Sequence, residues 1–214
     1  MSLLIDKTIR EYNDILSGSE PAPGGGSTAA LSGLLGASLS MMVRNISLGK
    51  KSYEALKDGI KNKINSDYEG IKAAGNELSA FIDEDTKAFN AVMEAMKLPK
   101  ETEEERAVRM EAIQKANLHA MEIPLAVANK CLQILKSQLA IARYGNKNAV
   151  SDIGVGALLA FAGLEGAVLN VRINLPGIAD QSLKADTSAK IEKLIGEAMK
   201  CKVEIMDIVN KRIG

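Results

Sequence analysis

Two stretches of this chain, 27–48 and 148–171, carry alanine, glycine or serine on every side of a helical wheel and only Arg44, Asp152 and Glu165 as charges. Small side chains let helix backbones approach closely. A helix without a polar face must be covered on all sides. The two stretches therefore read as a central, buried pair. The rest of the chain agrees with a helical architecture, because apolar residues recur at spacings of three and four and β-branched alternation is nearly missing. The expected helices are 5–16, 27–48, 53–98, 102–144, 148–171 and a last one from 182 or 186 to the end. Gly49 is placed just past the end of the second helix. Thr102-x-x-Glu105 forms a capping box at the start of the fourth, and Pro124 is expected to kink it. Gly59, Gly70 and Gly75 predict a break in the first half of the third. No internal repeat or linker interrupts the 214 residues. The reading is one all-α domain over 1–214, a bundle of about six helices, two of them long and central.

Composition removes several function classes. Lys+Arg and Asp+Glu are both 27, giving a formal net charge of zero. A nucleic-acid binder needs a basic face, and this chain also lacks Trp and has few aromatic side chains for stacking. Cys131 and Cys201 are far apart and belong to no C-x-x-C or His/Cys cluster, so they predict two packed thiols in a reducing compartment and no metal site. The first seven residues lack a basic, then apolar, leader pattern, which predicts no signal peptide and a cytoplasmic protein. The apolar run 153–164, stopped by Glu165, is shorter than the ~20 residues of a membrane span, and the expectation is no membrane association.

Two nucleotide motifs fail on inspection. Leu48-Gly49-Lys50-Lys51 lacks the first glycine and the Ser/Thr of a phosphate loop, and its flanks are helical. Gly154-Val155-Gly156-Ala157-Leu158-Leu159 lacks the third glycine of a dinucleotide fingerprint and the strand before it. His119 is the single histidine. It lies in a mixed helical segment and reads as structural or exposed, so a Ser-His-Asp triad has little support.

Four segments carry candidate chemistry. Pro21-Ala22-Pro23-Gly24-Gly25-Gly26-Ser27 stiffens the chain and then strips it of side chains before a helix that Ser27 is placed to cap. Its free N–H groups and positive helix end suit an anion or a carbonyl oxygen, while the bland alternative is a tight turn into the core. Asp85 follows Ile71 and Leu78 at heptad spacing, so it projects from an apolar stripe, with Asp83, Glu84 and Lys87 turned more toward solvent. A carboxyl displaced from water has a raised pKa and suits general acid–base work; the alternative is a buried aspartate satisfied by a helix end or an arginine. Asn146, Ser151 and Asp152 sit where one helix ends and another begins, and serve either a ligand or the caps. Asn170, Arg172 and Asn174 leave the apolar 148–171 helix and must be exposed, paired or lining a cavity. Lys50 and Lys51 offer cations just past a helix end, or simply complement its dipole.

Taken together, Pro21 to Ser27, Gly49-Lys50-Lys51-x-Tyr53, Asp85-x-x-Ala88-Phe89, Gly145-Asn146, Ser151-Asp152 and Asn170-Val171-x-Ile173-Asn174-Leu175 stand in an order that resembles the cyclodeaminase/cyclohydrolase family over essentially the whole chain. That family comprises formiminotetrahydrofolate cyclodeaminases and methenyltetrahydrofolate cyclohydrolases. The resemblance implies an up-and-down helical bundle that dimerises and a reduced folate substrate. It implies no metal or redox cofactor. Asp85 would then be the catalytic acid–base group. Gly24, Gly25, Gly26 and Ser27 would hold a pterin carbonyl or a carboxylate. Lys50, Lys51 and Arg172 would meet the anionic tail of a polyglutamylated folate, and Asn146, Ser151, Asp152, Asn170 and Asn174 would complete the substrate contacts. The absence of a formiminotransferase segment before the bundle favours the hydrolase. The alternative from another class is a helical dimer that binds folate or another anion without turnover.

Overall fold

A computed structural model describes residues 3–214, so Met1 and Ser2 of the N-terminal segment lie outside the described residues. Among the described residues there are only helices: α1 (Ile9–Leu16), α2 (Gly25–Ser47), α3 (Lys51–Glu54), α4 (Asp58–Met96), α5 (Glu103–Tyr144), α6 (Val150–Asn174) and α7 (Gln181–Ile213), with single 3₁₀ turns between some of them. α2 runs away from the glycine turn, and α4 returns toward it. α5 runs away again, α6 returns, and α7 runs back so that Arg212 donates to Gly145 O at 2.6 Å. This is the expected up-and-down bundle.

The paired centre is α2 against α6, as the small residues predict. Their backbones are too close for larger side chains. A Cβ on Gly36 would stand 2.7 Å from Gly156 O, and one on Gly163 would stand 2.8 Å from Ala29 O. The central pair is not the longest, however. α2 and α6 have 23 and 25 residues, whereas α4 and α5 have 39 and 42 and overhang them at the glycine-turn end. Fully buried Ile71, Leu78 and Ile82 of α4, Ile134, Leu135 and Ile141 of α5, and Ile153 and Leu164 of α6 fill the space around the pair.

Several sequence expectations shift. α4 is continuous through Gly59, Gly70 and Gly75, because tertiary packing outweighs a glycine cost of about 1 kcal/mol. A side chain on Gly75 would already touch Ala37 and Leu34, so the small residue there serves the α2 contact. The expected break comes earlier, at the short α3. α5 likewise runs through the buried Pro124, and its capping box at Thr102 and Glu105 forms as read. Asp83 is buried instead of solvated: it accepts from Leu4 N at 2.6 Å and Ile5 N at 3.3 Å. Cys131 and Cys201 are free, and burial pushes the Cys131 thiol up to about 12. The apolar spans are longer than the 153–164 run suggests once isolated charges are allowed within them. Gly25–Ser47 and Lys147–Gly177 are each long and apolar enough to cross a membrane, yet about half of each is buried within the bundle.

Candidate active site

The overhang of α4 and α5 builds a cavity of about 460 Å³ over the start of α2 and the end of α6. Pro21, Ala22, Gly24, Gly25 and Gly26 form one wall, and Asn170, Ile173 and Asn174 a second. Phe89, Val92, Met93 and Met96 of α4 give an apolar face, and Asn117 and Ala120 of α5 close the far side. Asp85 stands where the buried stripe of α4 ends and this cavity begins.

The carboxyl is held by the glycine turn. α2 starts at Gly25 with Gly24 as its N-cap and without a side-chain cap, so the expected capping role of Ser27 does not arise. Ser27 instead lies inside the first turn. Its N–H donates to Asp85 Oδ2 at 2.9 Å, and its buried hydroxyl lies 3.0 Å from Tyr12 Oη. A Cβ on Gly26 would fall 1.9 Å from Asp85 Oδ1, so only glycine lets the carboxyl reach the helix end. Burial nevertheless pushes the Asp85 carboxyl above its ordinary range, with the Ser27 N–H opposing more weakly. The helix end thus steadies the aspartate, as one of the two alternatives expected, while the carboxyl still lines an open cavity. The Gly25 and Gly26 N–H groups have no acceptor among the described residues.

The asparagines are positioned by backbone carbonyls. Asn170 donates to Gly166 O at 2.8 Å, and its amide packs where a Cβ on Gly25 would come to 3.3 Å. Asn174 donates to Ala120 O at 2.7 Å. Pro124 explains that contact: with no N–H at position 124, the Ala120 carbonyl four residues earlier has no helical partner and takes the Asn174 amide. Asn117 donates to Gly177 O at 3.0 Å. Sequence reading missed Asn117 as a site residue, because its place depends on a turn 60 residues away. Val92, Met93 and Met96 were likewise not read as site residues, and Phe89 only as part of the Asp85-x-x-Ala88-Phe89 motif. The excess of methionine at the end of the α4 stripe was the available signal.

The remaining candidates do not join this site within one chain. Arg172 lies between the asparagines in sequence but turns outward and pairs with Glu192 at 2.7 Å. Lys50 and Lys51 lie beyond the other end of α2, about 33 Å away at 1.5 Å per residue. Asn146 is there too. Its N–H donates to the buried Ser47 Oγ at 2.7 Å, and its side chain caps the turn at Asn148, so it closes the α5–α6 connection. Ser151 and Asp152 occupy the first turn of α6, and Asp152 complements its dipole. His119 is exposed on α5.

The family model for formiminotransferase-cyclodeaminase matches residues 8–193. The chain belongs to the formiminotransferase-cyclodeaminase family. It is 38% identical over 209 residues to a methenyltetrahydrofolate cyclohydrolase of Methylorubrum extorquens, covering 98% of this chain and 99% of that protein. It is equally 38% identical to a formimidoyltransferase-cyclodeaminase of Gallus gallus, of which it spans 38% of the length. The crystal structure of a formiminotetrahydrofolate cyclodeaminase from Thermotoga maritima has the same fold, with a TM-score of 0.84 over 98% of each chain at 24% identity. For this family member, the match over both ends of the bundle confirms the all-α up-and-down architecture read from the sequence.

Proposed function

We propose that this protein is a one-carbon folate enzyme that hydrolyses 5,10-methenyltetrahydrofolate to 10-formyltetrahydrofolate, and that the same site supports closure of 5-formiminotetrahydrofolate with release of ammonia. The observation that carries the reading is the Asp85 carboxyl, buried against a helix N-terminus yet lining a cavity of about 460 Å³ with one apolar wall and three amides. A cavity of this size suits a small ligand. The apolar wall of Phe89, Val92, Met93 and Met96 suits the flat ring system of a reduced folate. The asparagine amides and the Gly25 and Gly26 N–H groups suit its carbonyl and ring nitrogens.

The chemistry then needs one carboxyl. Water adds to the amidinium carbon between N5 and N10 while the Asp85 carboxylate takes a proton from it. The resulting carbinolamine collapses to the formyl group on N10. Its hydroxyl proton is released, the bond to N5 breaks, and N5 takes the proton held on Asp85. In the cyclisation, N10 attacks the carbon of the protonated formimino group and gives its proton to the same carboxylate, which returns it to the nitrogen departing as ammonia. Both sequences consist of proton transfers and additions and use no redox partner. The position of Asp85 at the positive end of α2 keeps the ionised form available, while burial raises its proton affinity toward the range useful near neutral pH.

End-to-end similarity to a cyclohydrolase supports hydrolysis as the principal reaction. A homodimer and a cytoplasmic location complete the proposal, supported by the uncovered apolar face of α2 and α6 and by the two free thiols. The test is loss of methenyltetrahydrofolate absorbance on adding pure protein, run beside ammonia release from formiminotetrahydrofolate. Binding without either turnover would contradict the enzyme reading.

A further inference from the structure

Resting on the folate reading, we infer that residues 4–12 act as a strap that sets the Asp85 carboxyl in place, with Asp83 and Tyr12 as its two positioning residues. The reaction as drawn uses neither side chain. Each fastens the N-terminal segment to one of the two helices whose meeting makes the acid–base contact.

The first fastening is on α4. Asp83 is buried, and its carboxylate accepts from Leu4 N at 2.6 Å and Ile5 N at 3.3 Å. Those N–H groups belong to the 3₁₀ turn Leu4–Asp6. Asp83 lies two residues before Asp85 on a continuous helix, so the two carboxyls leave α4 about 200° apart. Asp85 faces the cavity, and Asp83 faces the strap behind it. The turn of α4 that presents the acid–base group is thus gripped from its other side.

The second fastening is on α2. Tyr12 Oη lies 3.0 Å from Ser27 Oγ. That hydroxyl belongs to a completely buried residue and has no other partner among the described residues. Ser27 also carries the N–H that donates to Asp85 Oδ2 at 2.9 Å. Tyr12 therefore holds the residue that holds the carboxyl. A capping box of Thr8 and Glu11 keeps the first turn of α1, and with it Tyr12, in helical form.

Between its two fastenings the strap has little to secure it. α1 buries no residue. Leu4, Ile5 and Tyr12 face Leu31 of α2 and Ile82 of α4 around a gap of about 100 Å³. Unfilled space forfeits dispersion contacts, so apolar packing alone fixes the strap weakly. The hydrogen bonds at Asp83, strengthened by its charge, and the one at Tyr12 set its position. The strap crosses from α4 to α2 at the level of the Asp85–Ser27 contact, and loosening it lets the two helices shift there. A small displacement of an acid–base group costs rate more than binding.

Two variants and two readouts test this. Tyr12→Phe keeps the ring and removes the hydroxyl; Asp83→Asn keeps the volume and weakens the contacts to Leu4 and Ile5. On methenyltetrahydrofolate each should lower kcat about fivefold or more, with KM within about twofold of wild type. The double variant should lose less than the product of the two, because both free the same strap. Ser47→Ala, at the far end of the bundle, is the control that separates lost stability from lost position. The second readout needs no turnover. The Asp85 carboxyl is titrated by carbon-13 NMR, its signal identified by its absence from Asp85→Asn. Asp85 is the only titratable side chain lining the cavity among the described residues. In Tyr12→Phe its pKa should rise above that of wild type, because the Ser27 N–H that opposes burial is less well placed. An Asp85 titration unmoved in Tyr12→Phe overturns the strap. So does a kcat equal to wild type in either single variant, or losses that multiply in the double one. If wild-type protein turns over neither folate while the Tyr12→Phe titration still rises, the folate reading has failed and the strap stands.

Discussion

At one end of the α2–α6 pair a glycine turn opens a helix against Asp85; at the other a glycine ends a helix beside Lys50, Lys51 and the Asn146 turn. The two ends use similar residues, and from sequence both look like binding motifs. They differ in what surrounds them. At the Asp85 end, α4 and α5 extend past the central pair and leave a space, so Asn170, Asn174 and the carboxyl line a cavity. At the lysine end the helices finish nearly level. There the polar groups turn back on the backbone: Asn146 on Ser47, Ser47 on Val43, and Arg212 on Gly145. A polar residue at a helix terminus becomes a site residue where neighbouring helices overhang it, and a cap where they do not.

The largest effect that separates the ends is expected from a pair of matched substitutions. Asp85→Asn should fold, with unchanged helical circular dichroism, and lose on the order of 10²-fold or more in turnover. Asp152→Asn at the other end should remain within about twofold of wild type, its role being to complement a dipole. Comparable losses in both would dissolve the distinction between the two ends.

Next in size is Gly26→Ala. Its Cβ would collide with Asp85 Oδ1, so the carboxyl must move, and a displaced acid–base group should cost roughly tenfold or more in kcat. Gly25→Ala meets the Asn170 amide at 3.3 Å and should do less, chiefly raising KM. Equal effects of the two would mean that the turn, not the aspartate contact, sets the rate.

How much of this was legible in the sequence follows from the range of each interaction. The central pair was readable because small residues on all faces permit one arrangement, and Gly36 and Gly163 occupy the closest backbone approaches. Asp85 was readable from its place in a heptad stripe that is otherwise apolar. The greater lengths of α4 and α5 were in the expected spans 53–98 and 102–144, but not the end at which they overhang the pair, because that depends on where the other helices stop. Asp83 was misread because its partners, the Leu4 and Ile5 N–H groups, lie 79 and 78 residues away. The joint role of Pro124 and Asn174 was hidden for the same reason: a missing N–H on α5 is answered by a side chain from the end of α6. Local pattern located the groups with chemistry; which of them share a space required the lengths of all the helices.

A smaller effect should appear at the lysine end, in stability. Ser47→Ala removes a buried hydroxyl that accepts from Asn146 N–H and donates to Val43 O. It should lower unfolding free energy by about 1 kcal/mol in a denaturant melt while sparing the chemical step. The smallest is a pH trend. Burial holds the Asp85 pKa above its unfolded value, so the folded state binds the proton more tightly. The contribution of Asp85 to stability is therefore greatest in acid and is lost as pH rises through the folded pKa. Asp85→Asn should thus gain in Tm relative to wild type between acid and neutral pH. A relative loss over that interval would mean that the Ser27 N–H outweighs burial.

The central claim is that the Asp85 carboxyl, set between a helix end and the cavity, moves the proton in the reaction. The most direct test is the pH dependence of kcat/KM for methenyltetrahydrofolate hydrolysis in wild-type and Asp85→Asn protein. Wild type should lose activity as pH falls through an apparent pKa above the ordinary aspartate range, because the carboxylate must accept the proton from water. Asp85→Asn should show a low residual rate without that acid limb. The same limb at the same pKa in a folded Asp85→Asn protein would contradict the account.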